Sequence, residues 1–267
     1  MNNAAKFCSE IKKYTSLINP TVLSRVDSTN TYAKGILSDS LEGDCVFAIS
    51  QTGGRGRLGR SFFSYEGGIY MSLILKPNLT AESSLFITTA AAVAVSCAIE
   101  ELFGKETKIK WVNDIYIAEK KVCGILTEGV IGGNGKLEGA VLGIGINLGA
   151  PEEFPEEISS IADSILDVQD DFELKARLVA KIVDEFFEIY KNPQSKDYMK
   201  EYRRRSYLDG KTVEFVQEGI LHTAKVLGVT DEAGLKILEG GEEKVLSAGE
   251  VLVSQIIQTR TSPKGRF

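Results

Sequence analysis

The chain has 267 residues, 43% hydrophobic and 25% charged, enough to bury a large core without disulfide or metal staples. Its formal net charge of −6 excludes a general nucleic-acid binder, so any anion site must be local. Cys8, Cys45, Cys97 and Cys123 show neither C-x-x-C nor zinc spacing, the N-terminus holds no apolar signal core, and the apolar run from Ala90 to Ala98 is too short to span a bilayer; a cytoplasmic protein with no membrane partner is expected.

Thr21 to Val26 reads as the first strand. Asp27, Ser28, Thr29 and Asn30 follow, a run of N-capping residues ahead of a short helix. Cys45 to Gln51 is a short buried strand and Gly68 to Pro77 another, closed by its proline. Between them lies QTGGRGRLGRSFFS, Gln51 to Ser64. Thr80 to Phe103 is predicted as a long apolar helix stopped by Gly104. Thr107 to Val130 reads as strand, hairpin and strand, turning near Ala118 to Lys120. Ile131 to Lys136 is a turn, and Leu137 to Gly149 a strand with glycines where a ligand could come close.

Pro151 to Glu157 reads as a charged loop. Phe172 to Asn192 has helical spacing, with Phe172, Ala176, Val179, Val183, Phe186 and Phe187 on one face. Ser195 to Tyr207 is a second, basic helix whose Arg203-Arg204-Arg205 is expected to form a solvated face. After Leu208 the texture becomes short strands separated by glycine and acidic turns, the pattern of a small β-barrel. The domains expected are 1–208, carrying the chemistry, 209–260, the barrel, and a loose tail at 261–267. His222 sits in an alternating strand pattern away from every motif and is read as an incidental strand residue, which argues against Ser-His-Asp and Cys-His catalysis.

The loop spells G-x-G-x-x-G with arginines at positions 55, 57 and 60. Glycine lets backbone N–H groups approach an anion, and arginine adds fixed charge and a bidentate fork. A Rossmann fingerprint needs a helix after it, and here a strand follows. No H-R-D or D-F-G segment supports a kinase, and the tract is single and strand-flanked, unlike an RGG segment. A plain surface hairpin would explain the glycines but not the regular arginines. Lys110, Asn113, Asp114 and Lys121 add cations, an amide and a carboxylate downstream, the groups that phosphoryl chemistry uses for positioning and charge neutralisation.

Taken together these residues resemble the biotin–protein ligases (biotin–acetyl-CoA-carboxylase ligases). The family's G-R-G-R-x-G-R is matched at Gly54 to Arg60, its K-W-P-N-D at Lys110 to Asp114 with Val112 in place of proline, and its K-[LV]-x-G-I-L-x-E at Lys121 to Glu128. Asp27 to Asn30 and Gly143 to Asn147 fit two further motifs in the family's order. The resemblance implies an α+β fold: a mixed, largely antiparallel sheet flanked by helices, like the catalytic domain of class II aminoacyl-tRNA synthetases, with a C-terminal SH3-like barrel.

It also implies ATP-dependent activation of biotin to biotinyl-5′-AMP, with Mg²⁺, and transfer to a lysine of a biotin carboxyl carrier protein. By that resemblance Lys121, Arg55, Arg57 and Lys110 are catalytic. Ser28, Thr29, Asn30, Gln51, Gly54, Gly124, Leu126 and Gly143, with Arg55, Arg57 and Lys121, bind biotin. Arg60, Phe62, Asn113 and Asn147, with Arg55, Arg57 and Lys121, bind the nucleotide, and Asp114 is the metal candidate. The family often has a tryptophan at the position of Phe62; Phe62 or its neighbour Phe63 is left to stack on adenine. The loop is expected to be mobile without ligand. Rival readings are a lipoate–protein ligase of the same fold and a non-catalytic biotin-sensing module. A DNA-binding repressor is not expected, because too few residues precede the first strand for a helix-turn-helix domain. An exposed sheet edge would suit a homodimer.

Overall fold

In the computed structural model the first predicted strand is β1 (Asn19–Val26), parallel to β2 (Asp44–Gln51). β3 (Ile69–Leu75), β4 (Lys108–Lys110), β5 (Asp114–Ile117), β6 (Lys120–Ile131) and β7 (Leu137–Ile146) complete a seven-stranded sheet in the order β1-β2-β3-β7-β6-β5-β4. Every pair other than β1 and β2 is antiparallel. The structure describes residues 2–77, 84–131, 137–167, 171–217, 219–247 and 252–253; the predicted start of the long helix at Thr80, the turn at 132–136 and the tail at 261–267 lie outside these.

The helices are α1 (Asn3–Tyr14), α2 (Thr29–Ile36), α3 (Ser84–Phe103), α4 (Glu156–Ser159), α5 (Phe172–Tyr190) and α6 (Tyr198–Arg204). The sequence reading placed nothing before β1. Asn2 caps α1 by accepting from Ala5 N at 2.8 Å, and Ala4, Phe7 and Ile11 bury one face at helical spacing. Phe7 meets Phe47 of β2 edge-on and stacks on Phe172 of α5, both at 5.6 Å between centroids. That narrow stripe is hidden among Lys6, Glu10, Lys12 and Lys13, which is why the segment reads as polar. Pro151 to Glu157, read as a loop, runs into the single helical turn of α4.

α3 is apolar on every side. Residues 85–103 have the length and hydropathy to cross a membrane, a longer stretch than the Ala90–Ala98 run considered from the sequence. Yet 72% of that window is buried within the protein, where it packs on β6, α5 and α6; it is a core helix.

The triple arginine is not one solvated face. Arg205 is 3% exposed, its Nε and Nη2 donating to Glu100 of α3 at 3.1 and 2.7 Å, with Glu201 pairing on its other side. A buried guanidinium needs such partners. Glu100 Oε1 also accepts from Thr107 N at 3.1 Å and Thr107 Oγ1 at 2.8 Å. Burial opposes ionisation of Glu100, but the hydrogen bonds from Arg205 and Thr107 outweigh it and bring the carboxyl down to about 2. Because the folded value lies below the unfolded one, this group stabilises the fold above its unfolded pKa of 4.5, and the contribution is lost as pH falls through about 2. Glu100→Gln should therefore lower stability at pH 7 by about 1.5–3 kcal/mol. In urea unfolding, the gap to wild type should narrow as pH drops from 4.5 towards 2; a gap independent of pH would contradict the charged pairing.

Among the described residues, those up to 207 together with 231–233 form one compact unit, and 208–230 together with those from 234 onwards form a second. The second holds β8 (Thr212–Gln217), β9 (Ile220–Val229), β10 (Leu235–Glu239), β11 (Glu242–Leu246) and β12 (Leu252–Val253), a small antiparallel sheet consistent with an SH3-like domain. Gly240 (φ +58°) and Gly241 (φ +92°) make the β10–β11 turn, where two successive left-handed residues are needed. Val213, Phe215, Ala224, Val226, Leu235 and Ile237 form its core. His222 is less incidental than expected: it stacks on Phe215 at 5.2 Å, and its Nδ1 lies 2.6 Å from Glu239 Oε1.

Candidate active site

Side chains on a strand alternate between faces, so register decides which residues share a surface. Across β3, β7 and β6, Tyr70 pairs with Gly145 and Gly145 with Gly124. Two residues along, Ser72 pairs with Gly143 and Gly143 with Leu126. These two rows lie on one face, and half of their members are glycines. The sheet itself therefore puts few side chains there, and a pocket opens over it. Alternate residues, Ile125 and Ile146 among them, are buried on the other face.

The wall comes from the β1–α2 junction and the end of β2. Ser28 caps α2 and lines the pocket beside Thr29, Asn30 and Gln51. Thr29 N and Oγ1 donate to Gln51 Oε1 at 2.8 and 3.1 Å, and Gln51 Nε2 donates to Ser64 Oγ at 2.9 Å. Ser72 Oγ, fully buried in the floor, lies 2.8 Å from Thr29 Oγ1 and 2.6 Å from Asn30 Oδ1. Asn30 Nδ2 donates to Leu126 O at 3.2 Å and Glu128 Oε2 at 3.1 Å. Asn30 rests directly on Gly143, where a Cβ would stand 2.1 Å from Asn30 Oδ1.

The glycine/arginine loop folds on itself. Gly56 N donates to Arg60 O at 2.7 Å and Phe62 N to Gly54 O at 2.8 Å. At Gly54 a Cβ would lie 2.4 Å from Phe62 O, so only glycine fits. Arg55 lines the pocket, with Nη1 3.4 Å from Glu128 Oε1. Arg57 Nη1 donates to Asn113 Oδ1 at 3.2 Å, while Arg60 is exposed. Phe62 lies on the floor: a Cβ on Gly145 would come within 2.8 Å of its ring and one on Gly124 within 3.2 Å. Phe63 turns away, stacking on Tyr65 at 5.5 Å and meeting Phe154 at 6.2 Å. Phe62 is thus the ring the pocket has at hand. The loop's exit is held by the Tyr70 hydroxyl, which accepts from Tyr65 N and donates to Tyr65 O, both at 2.7 Å.

Lys121 Nζ pairs with Asp114 Oδ1 at 2.7 Å and stands 5.9 Å from the Phe62 centroid. Asn113 Nδ2 donates to Ile125 O at 2.7 Å. Asn147 Nδ2 donates to Asp163 O at 3.1 Å, while its Oδ1 is buried with no hydrogen-bond partner among the described residues. Lys110 lies over the Tyr116 ring at 5.9 Å and is not part of the pocket lining. Among the described residues no group of three or more His, Cys, Asp or Glu is placed to hold a metal.

Of the predicted residues, Ser28, Thr29, Asn30, Gln51, Arg55, Phe62, Gly124, Leu126 and Gly143 thus line one pocket. Gly54, Arg57, Asn113, Asp114 and Lys121 support or flank it through the contacts above; Arg60 and Lys110 are not brought to it. Sequence reasoning missed Ser72, Tyr70 and Gly145. A lone serine in Ile69-Tyr70-Met71-Ser72-Leu73 and the two-residue spacing of Gly143 and Gly145 were the available signals.

Residues 22–147 match the model of the biotin/lipoate A/B protein ligase family. The biotin protein ligase of Aquifex aeolicus, solved in complex with biotin and ATP, superposes with a TM-score of 0.75 at 30% identity, covering 88% of this chain and 98% of that one. The biotin--[acetyl-CoA-carboxylase] ligase of Mycobacterium tuberculosis is 28% identical over 241 residues, 86% of this chain and 87% of that protein. The Bacillus subtilis bifunctional ligase/repressor BirA is 46% identical over 115 residues, 42% of this chain and 35% of BirA, so this chain matches about a third of that relative's length. The chain belongs to the biotin protein ligase family.

Proposed function

We propose that the chain is a biotin–protein ligase, using ATP to make biotinyl-5′-AMP and then transferring the biotinyl group to a lysine of a biotin carboxyl carrier domain. The observation that carries this reading is the meeting, over one glycine floor, of a neutral hydrogen-bonding wall and a cationic loop. Biotin has matching ends: a neutral ureido ring, which both donates and accepts, and a carboxylate. Ser28, Thr29, Asn30 and Gln51 suit the first, and Arg55 and Lys121 the second, with backbone of Gly124, Leu126 and Gly143 alongside.

In the first step a carboxylate oxygen attacks the α-phosphorus of ATP, the bond to the β-phosphate oxygen breaks, and pyrophosphate leaves. Both reactants are anions, so fixed cations offset their repulsion and stabilise the charge that develops. Lys121 would face the α-phosphate, and Arg55 and Arg57 the carboxylate and phosphates. Phe62 offers a face to adenine, and Asn147, just past the end of β7 beyond Gly143 and Gly145, is the other nucleotide candidate. In the second step a neutral lysine amine attacks the acyl carbon, AMP departs, and the nitrogen sheds its proton.

Mg²⁺ binds through one or two carboxylates together with phosphates and waters. Asp114 is a single carboxylate already beside Lys121, which fits an ion carried in by the triphosphate. Its role would be to neutralise phosphate charge. Lys110 and Arg60 would join the phosphates only after moving their side chains. The free thiols at Cys8, Cys45, Cys97 and Cys123 support a reducing, cytoplasmic setting. The outer edge of β1, unpaired among the described residues, would suit a homodimer.

The test is ATP–pyrophosphate exchange with biotin or lipoate as the only acid. Exchange should depend on biotin; exchange driven by lipoate and not by biotin would overturn the proposal.

A further inference from the structure

Glu128 closes the third motif, yet neither step above uses it. On β6 it follows Gly124 and Leu126 at two-residue spacing, so its side chain shares their face at the pocket's edge. Three groups converge on its carboxylate. Lys34 Nζ of α2 lies 3.0 Å and Arg55 Nη1 3.4 Å from Oε1, and Asn30 Nδ2 donates to Oε2 at 3.1 Å. Burial opposes ionisation of Glu128, but the hydrogen bonds from Asn30 and Lys34, and the charges of Lys34 and Arg55, hold the carboxyl below its usual value.

These partners differ in rigidity. Asn30 is buried and pinned by Ser72 and Leu126 O, so it fixes the carboxylate from within. Arg55 is 46% exposed and sits on the glycine-rich loop. A long side chain on such a backbone has many conformations to lose when it meets a ligand. The carboxylate reaches it through Nη1, which leaves the rest of the guanidinium fork for a second oxyanion.

We infer that Glu128 is a positioning residue: anchored by Asn30 and Lys34, it holds the Arg55 guanidinium at the pocket wall before the acid substrate arrives. The inference rests on the reading of this pocket as the biotin site. It makes a specific demand on charge. Gln at 128 keeps an acceptor for Asn30 but cannot hold Arg55 as an ion pair. With Arg55 46% exposed, its pair with Glu128 adds little to folding stability, so the consequence should fall on ligand binding and loop order.

The test uses the full chain with Glu128→Gln and Glu128→Asp, each also combined with Arg55→Ala. In biotin-dependent pyrophosphate release at saturating ATP, Glu128→Gln should raise KM for biotin about three- to tenfold with a smaller change in kcat, and Glu128→Asp should recover part of the loss. In the Arg55→Ala background, Glu128→Gln should change KM less than twofold, because its target is gone. Without any ligand, trypsin should cut after Arg55, Arg57 or Arg60 faster in Glu128→Gln than in wild type. Equal effects of Glu128→Gln with and without Arg55, or unchanged trypsin cleavage, would overturn the positioning role. The cleavage assay needs no substrate, so it judges Glu128 even if biotin proves not to be the acid; a wild-type protein that ignores biotin would count against the functional reading instead.

Discussion

Lys121→Ala should slow biotin-dependent adenylate formation by about 10²–10³-fold and leave the protein folded. Lys121 Nζ stands 5.9 Å from the Phe62 centroid, and its partner Asp114 lies on the adjacent strand. The Lys121 side chain is 31% exposed, so the pair contributes no more than about 1 kcal/mol to stability. Removing it has two consequences for chemistry. A positive charge disappears beside the site assigned to the α-phosphate, and the Asp114 carboxylate is left unneutralised there. Both raise the barrier to bringing two anions together. ATP–pyrophosphate exchange measures the first step alone, and a thermal melt checks the fold. Exchange within a few-fold of wild type would remove Lys121 from the mechanism.

Gly143→Ala should abolish high-affinity biotin binding, raising Kd by more than about tenfold, and cost about 1–3 kcal/mol of stability. The new Cβ would stand 2.1 Å from Asn30 Oδ1 and 2.8 Å from Asn30 Cγ, closer than atoms can approach. β7 is a central strand between β3 and β6 and has little room to retreat. Asn30 must therefore leave, giving up its contacts with Ser72, Leu126 and Glu128. Adding Asn30→Ala should restore part of the stability by making room, but not the affinity, because the wall has lost its amide. Calorimetric titration with biotin and thermal melts of both variants decide the matter. Undiminished affinity in Gly143→Ala would show that this face of the sheet is not where biotin lies.

What the sequence made legible was local. The arginine and glycine spacing of Gly54 to Arg60, the capping run at Ser28 to Asn30, and the strand-like texture after Leu208 are all signals carried by neighbouring residues. What it hid was pairing between distant segments. Asp114 meets Lys121 in a hairpin whose register shifts between Ile115 and Tyr116, and no local pattern announces such a bulge. Arg205 looked solvated because its partner, Glu100, lies on another helix. Glu128 of β6 finds Asn30 and Lys34 on helix α2, over ninety residues earlier in the chain. The pocket floor was half readable: Gly124, Gly143 and Gly145 fall inside matched motifs, but Ser72 acquires meaning only when β3, β7 and β6 are laid side by side. Phe62 and Phe63 are equivalent on paper; they are separated by the packing of Phe63 with Tyr65 and Phe154.

The most direct measurement is mass spectrometry of the purified chain incubated with biotin and Mg-ATP, before and after addition of a biotin carboxyl carrier domain. Biotinyl-5′-AMP should form first; one lysine of the carrier should then gain a biotinyl group as AMP is released, and a carrier with that lysine changed to arginine should stay unmodified. A folded chain that forms no biotinyl-5′-AMP and leaves the carrier lysine unmodified would contradict its assignment as a biotin–protein ligase.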